Sequence, residues 1–356
     1  MTDAELPEPV TLAELQLAAR NHGLPLEALR YAVTPVGLHY VLTHYDIPAV
    51  DVGEWRLGVR GEVERSLSFS LDELRDLPAA EVVATMECAG NGRARLAPRP
   101  VSQPWLLEAV GTARWRGVPL PTALKRAGLG DRARQVLFTG LDRGLEGGVA
   151  QCYERALPIG EALREEVLLA YEMNGSPLPP QHGFPLRLLV PGWYGMTSVK
   201  WLSSVTVLDH PFSGYQHERA YRFRLAEDEK GTPVSRMQPR ALMVPPGVPD
   251  YMTRERVVDE APLTLEGRAW SGWASVVSVE VSADGGEAWA RADLDADVDS
   301  PWAWRSWSFE WAPTRGRYLV CCRAVDAAGN SQPVGQVWNL GGYANNAVQQ
   351  VVVSVV

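Results

Sequence analysis

The sequence contains few cysteines, and no two of them have the spacing of a zinc site. There are four in 356 residues: Cys88, Cys152, Cys321 and Cys322. None belongs to a CxxC motif, so a structural zinc site is not expected. Cys321 and Cys322 are adjacent in a strand-like run, which points their side chains to opposite faces. We therefore predict no disulfide framework, as is usual in a reducing compartment.

Long apolar runs and a basic leader segment are also missing. No stretch of about 18 apolar residues occurs, so no membrane-spanning helix is expected. Residues 1–10 are acidic and lack the basic segment and apolar stretch of a secretory or twin-arginine signal. We therefore expect a cytoplasmic protein, or a periplasmic one if the sequence has been trimmed.

Basic residues are fewer than acidic ones, which gives the chain a net charge of −9. Nucleic acid is not an expected partner, because phosphate backbones are bound by basic surfaces. An anionic substrate would need a local positive region in such a protein. The arginines that could form this positive region are Arg93, Arg95, Arg99, Arg114 and Arg116. The alternative interpretation is that they are solvated surface residues.

Nucleotide and electron-transfer motifs are absent as well. The sequence has no Walker-type loop, no nicotinamide or flavin fingerprint and no cytochrome b5-like segment. A nucleoside triphosphate is therefore not an expected ligand. If the chain is a redox enzyme, its electron partner must be a separate protein.

The most informative stretch is a cysteine followed at once by a Gly-Asn-Gly turn, at residues 88–92. The apolar run before Cys88 predicts a strand that ends at the thiol. Glycine allows positive φ and the close approach of a bulky ligand, and Arg93 could hold an anion nearby. A buried structural cysteine is the alternative interpretation of any single thiol.

Four separated motifs, in the same order, resemble those of the sulfite oxidase family of molybdopterin-dependent oxidoreductases. They are Cys-Ala-Gly-Asn-x-Arg from Cys88 to Arg93, His-Gly-Phe-Pro-x-Arg from His182 to Arg187, Ser-Val-Lys-Trp-Leu from Ser198 to Leu202, and Trp-Asn-Leu from Trp338 to Leu340. The resemblance extends from about Pro25 to the C-terminus. It implies a molybdenum domain and a C-terminal dimerisation domain, without a haem domain.

The resemblance implies a role for individual residues. Cys88 would bind molybdenum, for which a soft thiolate is well suited. Arg93, Trp105 and Tyr221 would shape the substrate pocket, with Tyr215 as a less favoured alternative to Tyr221. Eight residues would hold the cofactor, molybdenum-molybdopterin: Tyr40, His44, Asp142, His182, Arg187, Ser198, Val199 and Lys200.

A phosphate site is predicted within this set. We expect residues 184–190 to form a buried strand and Ser198 and Lys200 to alternate on the next one, so that both face the same side. A hydroxyl, an ammonium and the guanidinium of Arg187 converging there would suit the phosphate of a pterin.

Two family arginines that bind the substrate oxyanion are replaced here, by Leu42 and by Gly341. The pocket is therefore less positive than in a typical sulfite oxidase. The predicted function is oxidation of sulfite to sulfate by oxygen-atom transfer, with electrons passed to a separate acceptor such as a cytochrome c. Reduction of a sulfoxide or another small oxo-substrate by an enzyme of the same family is the alternative.

Two other classes of protein fit the same residues. Cys88 could be the nucleophile of a cysteine hydrolase, with His182 as base and the Gly-Asn-Gly turn as oxyanion hole. The phosphate-type residues between His182 and Lys200 would then have no use. A dimeric binding module that has lost its metal is the third hypothesis, against which the retained Cys88 argues.

The predicted fold is α+β, with a mixed α/β molybdopterin-binding domain at 1–232 and an immunoglobulin-like β-sandwich at 233–356. Residues 227–249 are rich in Pro, Gly and charge, as linkers are. Beyond them lie eight of the 13 tryptophans, alternating valines and an Asp-Gly-Gly turn at Asp284. The resemblance implies that this second domain forms a homodimer.

Local patterns predict individual elements. Residues 11–32 are expected to be helical, with Thr11 as a cap and with Pro25 opening a second short helix. Residues 71–77 are expected to form a helix capped by Ser70. Residues 38–48 alternate in the manner of a strand.

Overall fold

A computed structural model of the chain describes residues 9–296 and 300–356. They divide into two compact units, neither of which is continuous in sequence. The first unit holds the described residues up to Tyr40 together with Gly90–Thr112 and Arg236–Val356. The second holds Val41–Ala89 and Ala113–Ser235. The predicted domains, 1–232 and 233–356, thus differ from the compact units by the placement of two segments, and the domain boundary stays a prediction.

The second unit is built on sheets. Its strands, with β4 counted where most of it lies, are β1 (Leu57–Gly61), β2 (Leu67–Phe69), β3 (Ala80–Glu87), β4 (Val110–Pro119), β5 (Gln135–Glu146), β6 (Val149–Pro158), β7 (Leu168–Met173), β8 (Ser176–Pro177), β9 (Arg187–Leu189), β10 (Leu202–Leu208), β11 (Arg222–Phe223) and β12 (Thr232–Pro233). One sheet has the order β2-β1-β10-β5-β6, in which β1 and β10 are parallel. Another has the order β3-β4-β7-β8, with β9 also paired to β7. Strands β11 and β12 form a two-stranded sheet.

The α-helices of this unit are short: Leu71–Arg75, Leu120–Ala127 and Ile159–Ala162. The first begins as predicted, because the Ser70 hydroxyl accepts from the Glu73 N–H and the Glu73 carboxylate accepts from the Ser70 N–H. This reciprocal pair satisfies two backbone donors that a helix start leaves unbonded. Within the described residues, no helix has the length and apolar character needed to cross a membrane.

Three strand predictions were wrong in whole or in part. Residues 38–48 form no strand, and the Leu42 carbonyl there accepts from the Lys200 ammonium. Strand β10 begins only at Leu202, because Trp201 has φ +48° and cannot continue an extended strand. Ser198 and Lys200 therefore do not alternate on one strand. The strand expected at 184–190 is limited to β9, since Pro185 has no N–H to give to a neighbour.

The first unit is a β-sandwich, as predicted. Its strands are β13 (Arg240–Met243), β14 (Val248–Pro249), β15 (Arg256–Val258), β16 (Leu263–Trp270), β17 (Val276–Ser282), β18 (Ala290–Arg291), β19 (Asp293–Leu294), β20 (Arg305–Trp311), β21 (Gly316–Asp326) and β22 (Gln349–Val355). One sheet has the order β13-β16-β20-β19 and the other β14-β15-β22-β21-β17-β18. Buried side chains of both sheets meet in one core, with Trp307 from the first and Val279 and Val353 from the second.

An α-helix at Leu12–Arg20 belongs to this unit, and Thr11 caps it as predicted. After Pro25 the second predicted helix is a short 3₁₀ helix at Leu26–Arg30. The helix carries a fully buried carboxylate, Glu14, which accepts two hydrogen bonds from the buried guanidinium of Arg99 at 2.9 and 3.1 Å. These bonds hold the pKa of the Glu14 carboxyl at about 2, well below its usual value.

Replacing Glu14 with glutamine should destabilise the protein by about 3–5 kcal/mol, because Arg99 would keep a buried charge without its partner. A glutamine side chain can still accept the hydrogen bond from the Thr11 N–H that completes the helix cap. The variant therefore measures the loss of the negative charge alone. The lowered pKa also contributes about 3 kcal/mol that is complete above pH 4.5 and is lost as the pH falls towards 2. Urea unfolding from pH 7 to pH 2.5 measures both effects.

Glu81→Gln is the matched control, because Glu81 pairs with Arg114 at the surface. It should cost less than about 1 kcal/mol. Equal losses for the two variants would contradict the role assigned to the buried pair.

Candidate active site

Cys88 lies directly after β3, whose last five residues are buried. The side chain is itself buried, with 7% of its surface exposed, and none of the four cysteines is in a disulfide bond. A turn begins at the next residue. The strand thus delivers a thiol to the edge of its sheet, where the chain leaves the strand. Among the described residues, no group of three His, Cys, Asp or Glu side chains is placed to hold a metal. The predicted molybdenum site needs only one protein ligand, Cys88.

Asp142 and Lys200 lie close together in the second unit. Asp142, on β5, is buried, and its Oδ1 has no hydrogen-bond partner among the described residues. The Lys200 ammonium donates to the Leu42 carbonyl at 2.8 Å and to the Gln181 carbonyl at 2.9 Å. It also lies 4.3 Å from the centre of the Trp201 ring. The lysine is therefore fixed in place by the main chain.

Burial shifts the pKa values of Asp142 and Lys200 towards neutral pH. It raises the pKa of Asp142 to about 6, although the charge of Lys200 opposes this. It lowers the pKa of Lys200 to about 7, and the charge of Arg187 acts in the same direction. Such perturbed groups are concentrated at functional sites.

A glycine keeps the space beside Asp142 open. A Cβ atom on Gly140 would come to 2.5 Å from Asp142 Oδ1 and to 2.9 Å from the Lys200 carbonyl oxygen. A buried carboxylate oxygen without a donor costs free energy unless a ligand supplies one. The N–H groups of a pterin are such donors, so these residues fit the predicted cofactor.

The other predicted phosphate residues are tied to main-chain groups. The Arg187 guanidinium donates to the carbonyls of His182 at 3.1 Å and Ser198 at 3.0 Å, and lies 4.9 Å from the centre of the Trp115 ring. The Ser198 hydroxyl accepts from the Val190 N–H at 3.1 Å. Arg187 thus joins the two loops that carry His182 and Ser198. Direct contact of these side chains with a phosphate stays a prediction.

Val199 contributes through its backbone. Its carbonyl accepts from the Leu188 N–H at 2.8 Å, and its side chain is buried. This bond fixes the loop between Ser198 and Lys200 against β9.

His44 is part of a network that sequence reasoning missed. Its Nε2 lies 2.8 Å from Glu146 Oε2, and the same oxygen accepts from the Tyr45 hydroxyl at 3.1 Å and from the Gln216 amide. Burial would raise the pKa of Glu146, but these hydrogen bonds, from His44 above all, hold it below its usual value. A carboxylate at one ring nitrogen fixes the orientation of an imidazole. No sequence motif pairs two residues 102 positions apart, so nothing in the sequence could have revealed Glu146.

Tyr221 is buried beside two further residues that the sequence did not single out. Its hydroxyl is hydrogen-bonded to Tyr153, whose own hydroxyl donates to the Met196 carbonyl at 2.8 Å. The buried guanidinium of Arg155 lies 5.4 Å from the centre of the Tyr221 ring and donates to the Gln216 carbonyl. Because Tyr153 and Arg155 are two positions apart on β6, their side chains face the same side, and this spacing could have identified them as neighbours of one site. Tyr215 is half-buried, and its hydroxyl lies near Gly147.

Arg93 belongs to the first unit and is 5% exposed. Its Nε donates to the Gly341 carbonyl at 3.0 Å, and its Nη1 donates to the Ser102 hydroxyl at 3.0 Å and the Gln103 carbonyl at 3.3 Å. The ring of Tyr343 lies 5.1 Å from its guanidinium carbon. All three acceptors are neutral, so the positive charge of Arg93 is not cancelled by these contacts.

Trp105 and Tyr40 also lie in the first unit, edge to face, with ring centroids 6.5 Å apart. Both are buried, and the Trp105 Nε1–H has no acceptor among the described residues. The Trp105 carbonyl accepts from the Ala94 N–H at 3.0 Å, directly after Arg93. The predicted site residues therefore form two groups: Arg93, Trp105 and Tyr40 in the first unit, and the others in the second.

Comparison with family models accounts for most of the chain. An oxidoreductase molybdopterin-binding domain matches residues 44–216, and a Mo-co oxidoreductase dimerisation domain matches residues 237–356. These matches define the class: a molybdopterin-binding oxidoreductase domain followed by its dimerisation domain. They confirm molybdenum-molybdopterin as the cofactor.

The sulfite oxidase of Gallus gallus is 39% identical over 333 residues, which are 88% of this chain and 72% of that protein. The mitochondrial sulfite oxidase of Mus musculus is 36% identical over 342 residues, 91% of this chain and 62% of that protein. A nitrate reductase of Hordeum vulgare is 33% identical over 350 residues, 91% of this chain and 39% of that protein. The chain thus spans about three fifths of the length of the mammalian relatives.

Among solved structures, the sulfane dehydrogenase SoxCD from Paracoccus pantotrophus matches with a TM-score of 0.80 and 26% identity, covering 94% of this chain and 86% of that one. The chain belongs to the sulfite oxidase family. The predicted resemblance and the predicted fold class, a mixed α/β domain followed by a β-sandwich, are confirmed.

Proposed function

We propose that this protein is a molybdenum-dependent oxidoreductase that oxidises sulfite to sulfate and passes the electrons to a separate acceptor such as a cytochrome c. The observation that carries the proposal is the buried Asp142 carboxylate beside the fixed ammonium of Lys200; the Asp142 Oδ1 accepts no hydrogen bond from the residues that the structure describes. A buried carboxylate oxygen without a donor costs free energy, which a polar ligand with an N–H group would recover. Family membership identifies that ligand as molybdopterin.

In this proposal each residue has a separate task. Cys88 supplies a thiolate ligand from the end of β3. Asp142 and Lys200, with His44 held by Glu146, position the pterin. Arg187 fixes the loops of His182 and Ser198 next to them.

The remaining residues act on the substrate. Arg93 attracts an oxyanion with a buried charge, because the acceptors of its hydrogen bonds among the described residues are neutral. Trp105 and Tyr40 add an apolar wall with one indole N–H to donate. Tyr221 offers a phenol whose position is set by Tyr153. When bound, the molybdenum cofactor supplies the exchange of an oxygen atom and of two electrons. The net reaction is sulfite plus water to sulfate, two protons and two electrons.

The homodimer is part of the same proposal. Residues 237–356 match a dimerisation domain, which supports assembly of two copies through the sandwich. Sedimentation at micromolar concentration tests it, and a monomer would contradict it.

A second candidate is the reduction of a sulfoxide or another small oxo-substrate. It is favoured by the replacement of two oxyanion-binding arginines by Leu42 and Gly341, and the relatives include nitrate reductases, named for another oxo-substrate. A less positive pocket suits a substrate of lower charge.

Steady-state assays of the purified holoenzyme separate the two candidates. With ferricyanide as acceptor, sulfite should be oxidised with a KM between about 1 µM and 1 mM. With reduced viologen as donor, a sulfoxide should be consumed at least about a hundredfold more slowly. The opposite order of rates would replace the proposed function by the second candidate.

A further inference from the structure

The turn that carries Gly341 packs directly on the Arg93 side chain. The Gly342 N–H donates to the Asn339 carbonyl at 3.0 Å. The Asn339 side chain closes the turn, because its Nδ2 donates to the Tyr343 carbonyl at 2.8 Å and its Oδ1 accepts from the Tyr343 N–H at 3.0 Å. The turn is anchored to the loop after Cys88 by Trp338, whose Nε1 donates to the Pro98 carbonyl at 2.8 Å.

The absence of a side chain at Gly341 makes room for the ring of Tyr343. A Cβ atom on Gly341 would lie 2.3 Å from Cε2 and 2.6 Å from Cδ2 of that ring. Any side chain at position 341 would therefore displace the ring, which lies 5.1 Å from the Arg93 guanidinium carbon. The contact of Tyr343 with Arg93 thus depends on the glycine at position 341.

These contacts leave one nitrogen of Arg93 for a ligand. Nε is bonded to the Gly341 carbonyl, and both protons of Nη1 are directed at protein acceptors, on Ser102 and Gln103. Nη2 forms no hydrogen bond within the part of the chain that the structure describes. A guanidinium grips a carboxylate or sulfate with two parallel N–H bonds from different nitrogens. Arg93 cannot do so in this arrangement.

We propose that Tyr343 is a positioning residue for Arg93, and that with Gly341 it creates an oxyanion site which holds its ligand through a single guanidinium nitrogen. The proposal rests on the proposed function in placing Arg93 at the substrate. Such a site contacts one oxygen atom of the ligand, and the stronger attraction of a dianion is offset by the larger free-energy cost of removing it from water. It therefore accepts singly charged sulfonates and sulfites about as well as dianions.

Tyr343 contributes in two ways. Its ring face carries partial negative charge and attracts the guanidinium, and it excludes water from that side of Arg93. Both effects strengthen the bond from Nη2 to an anion. Replacing the ring by an aliphatic side chain frees the guanidinium to move, so binding weakens while the reacting groups are untouched.

The experiment measures anion affinity and kinetics on the same holoenzyme preparations. Calorimetric titration with sulfate and with methanesulfonate should give dissociation constants within about threefold of each other for the wild type. Tyr343→Leu should weaken sulfate binding and raise the KM for sulfite by about fivefold, with kcat changed by less than about twofold. Tyr343→Phe keeps the ring and should restore both values.

Gly341→Ala provides an independent variant. The added methyl should displace the ring and reproduce the effect of Tyr343→Leu, and in the Tyr343→Leu background it should add nothing further. The matched control is Tyr251→Leu, since Tyr251 is a largely exposed tyrosine of the same unit. It should match the wild type.

Each outcome decides between the two proposals. If sulfite is not oxidised but Tyr343→Leu still weakens sulfate binding and Tyr343→Phe does not, the proposed function falls and the role of Tyr343 stands. If Tyr343→Leu binds sulfate as tightly as the wild type, the inference is overturned whether or not sulfite is a substrate. A wild-type preference for sulfate over methanesulfonate above about tenfold would also overturn it.

Discussion

Replacing Cys88 with serine should remove molybdenum from the purified protein. The sulfur lies at the end of β3, buried, and is the single protein ligand that the site is proposed to supply. A serine oxygen is a harder and more basic ligand, which suits a soft-ligand site poorly. We expect the molybdenum content to fall from about one atom per chain to below about a tenth, and sulfite oxidation to fall by about a thousandfold or more. Elemental analysis by mass spectrometry measures the first quantity directly.

Cys152→Ser is the control, because Cys152 is a half-buried cysteine on β6 of the same unit. It should retain metal and activity. Iodoacetamide provides the complementary test, since a metal-bound thiolate should resist alkylation. Rapid alkylation of Cys88 in the as-isolated protein, together with no molybdenum in the wild type, would support the cysteine hydrolase or the metal-free binding module instead.

Replacing Arg93 with methionine should lower kcat/KM for sulfite by about a hundredfold or more, with molybdenum content unchanged. The side chain is 5% exposed, and its hydrogen bonds go to neutral oxygen atoms, so its charge acts on a bound anion with little screening. Arg93→Lys should recover little of the loss. An ammonium keeps the charge but cannot bond the Gly341 carbonyl and the Ser102 hydroxyl in the same plane.

Arg116→Met controls for the loss of positive charge in general. Arg116 is half-exposed and lies 3.9 Å from Glu172, so its removal should change kcat/KM by less than about twofold. Thermal unfolding of both variants shows whether the kinetic loss in Arg93→Met comes only from a destabilised loop at Ser102. A hundredfold kinetic loss with an unchanged midpoint supports a role at the substrate, and equal kinetics for Arg93→Met and the wild type would exclude that role.

Local interactions made several elements predictable. The helix starts at Thr11 and Ser70 depend on contacts between residues three positions apart, so the sequence alone contains all the information. The sandwich follows from period-two alternation. The strand predictions failed at residues 38–48 and 198–200, where tertiary contacts override the pattern. The Leu42 carbonyl there bonds to Lys200, and Trp201 takes a positive φ.

The sequence by itself determined the family, the cofactor, the thiol at Cys88 and the missing arginines at Leu42 and Gly341, because motifs and replacements are properties of single positions. Only the tertiary structure revealed Glu146 at His44, Arg155 at Tyr221 and Tyr343 at Arg93. Those partners are separated by 66 to 250 residues, and no pattern in the chain links them. Their contacts arise when strands and turns pack together, since burial brings charges and rings within a few ångströms irrespective of distance along the chain.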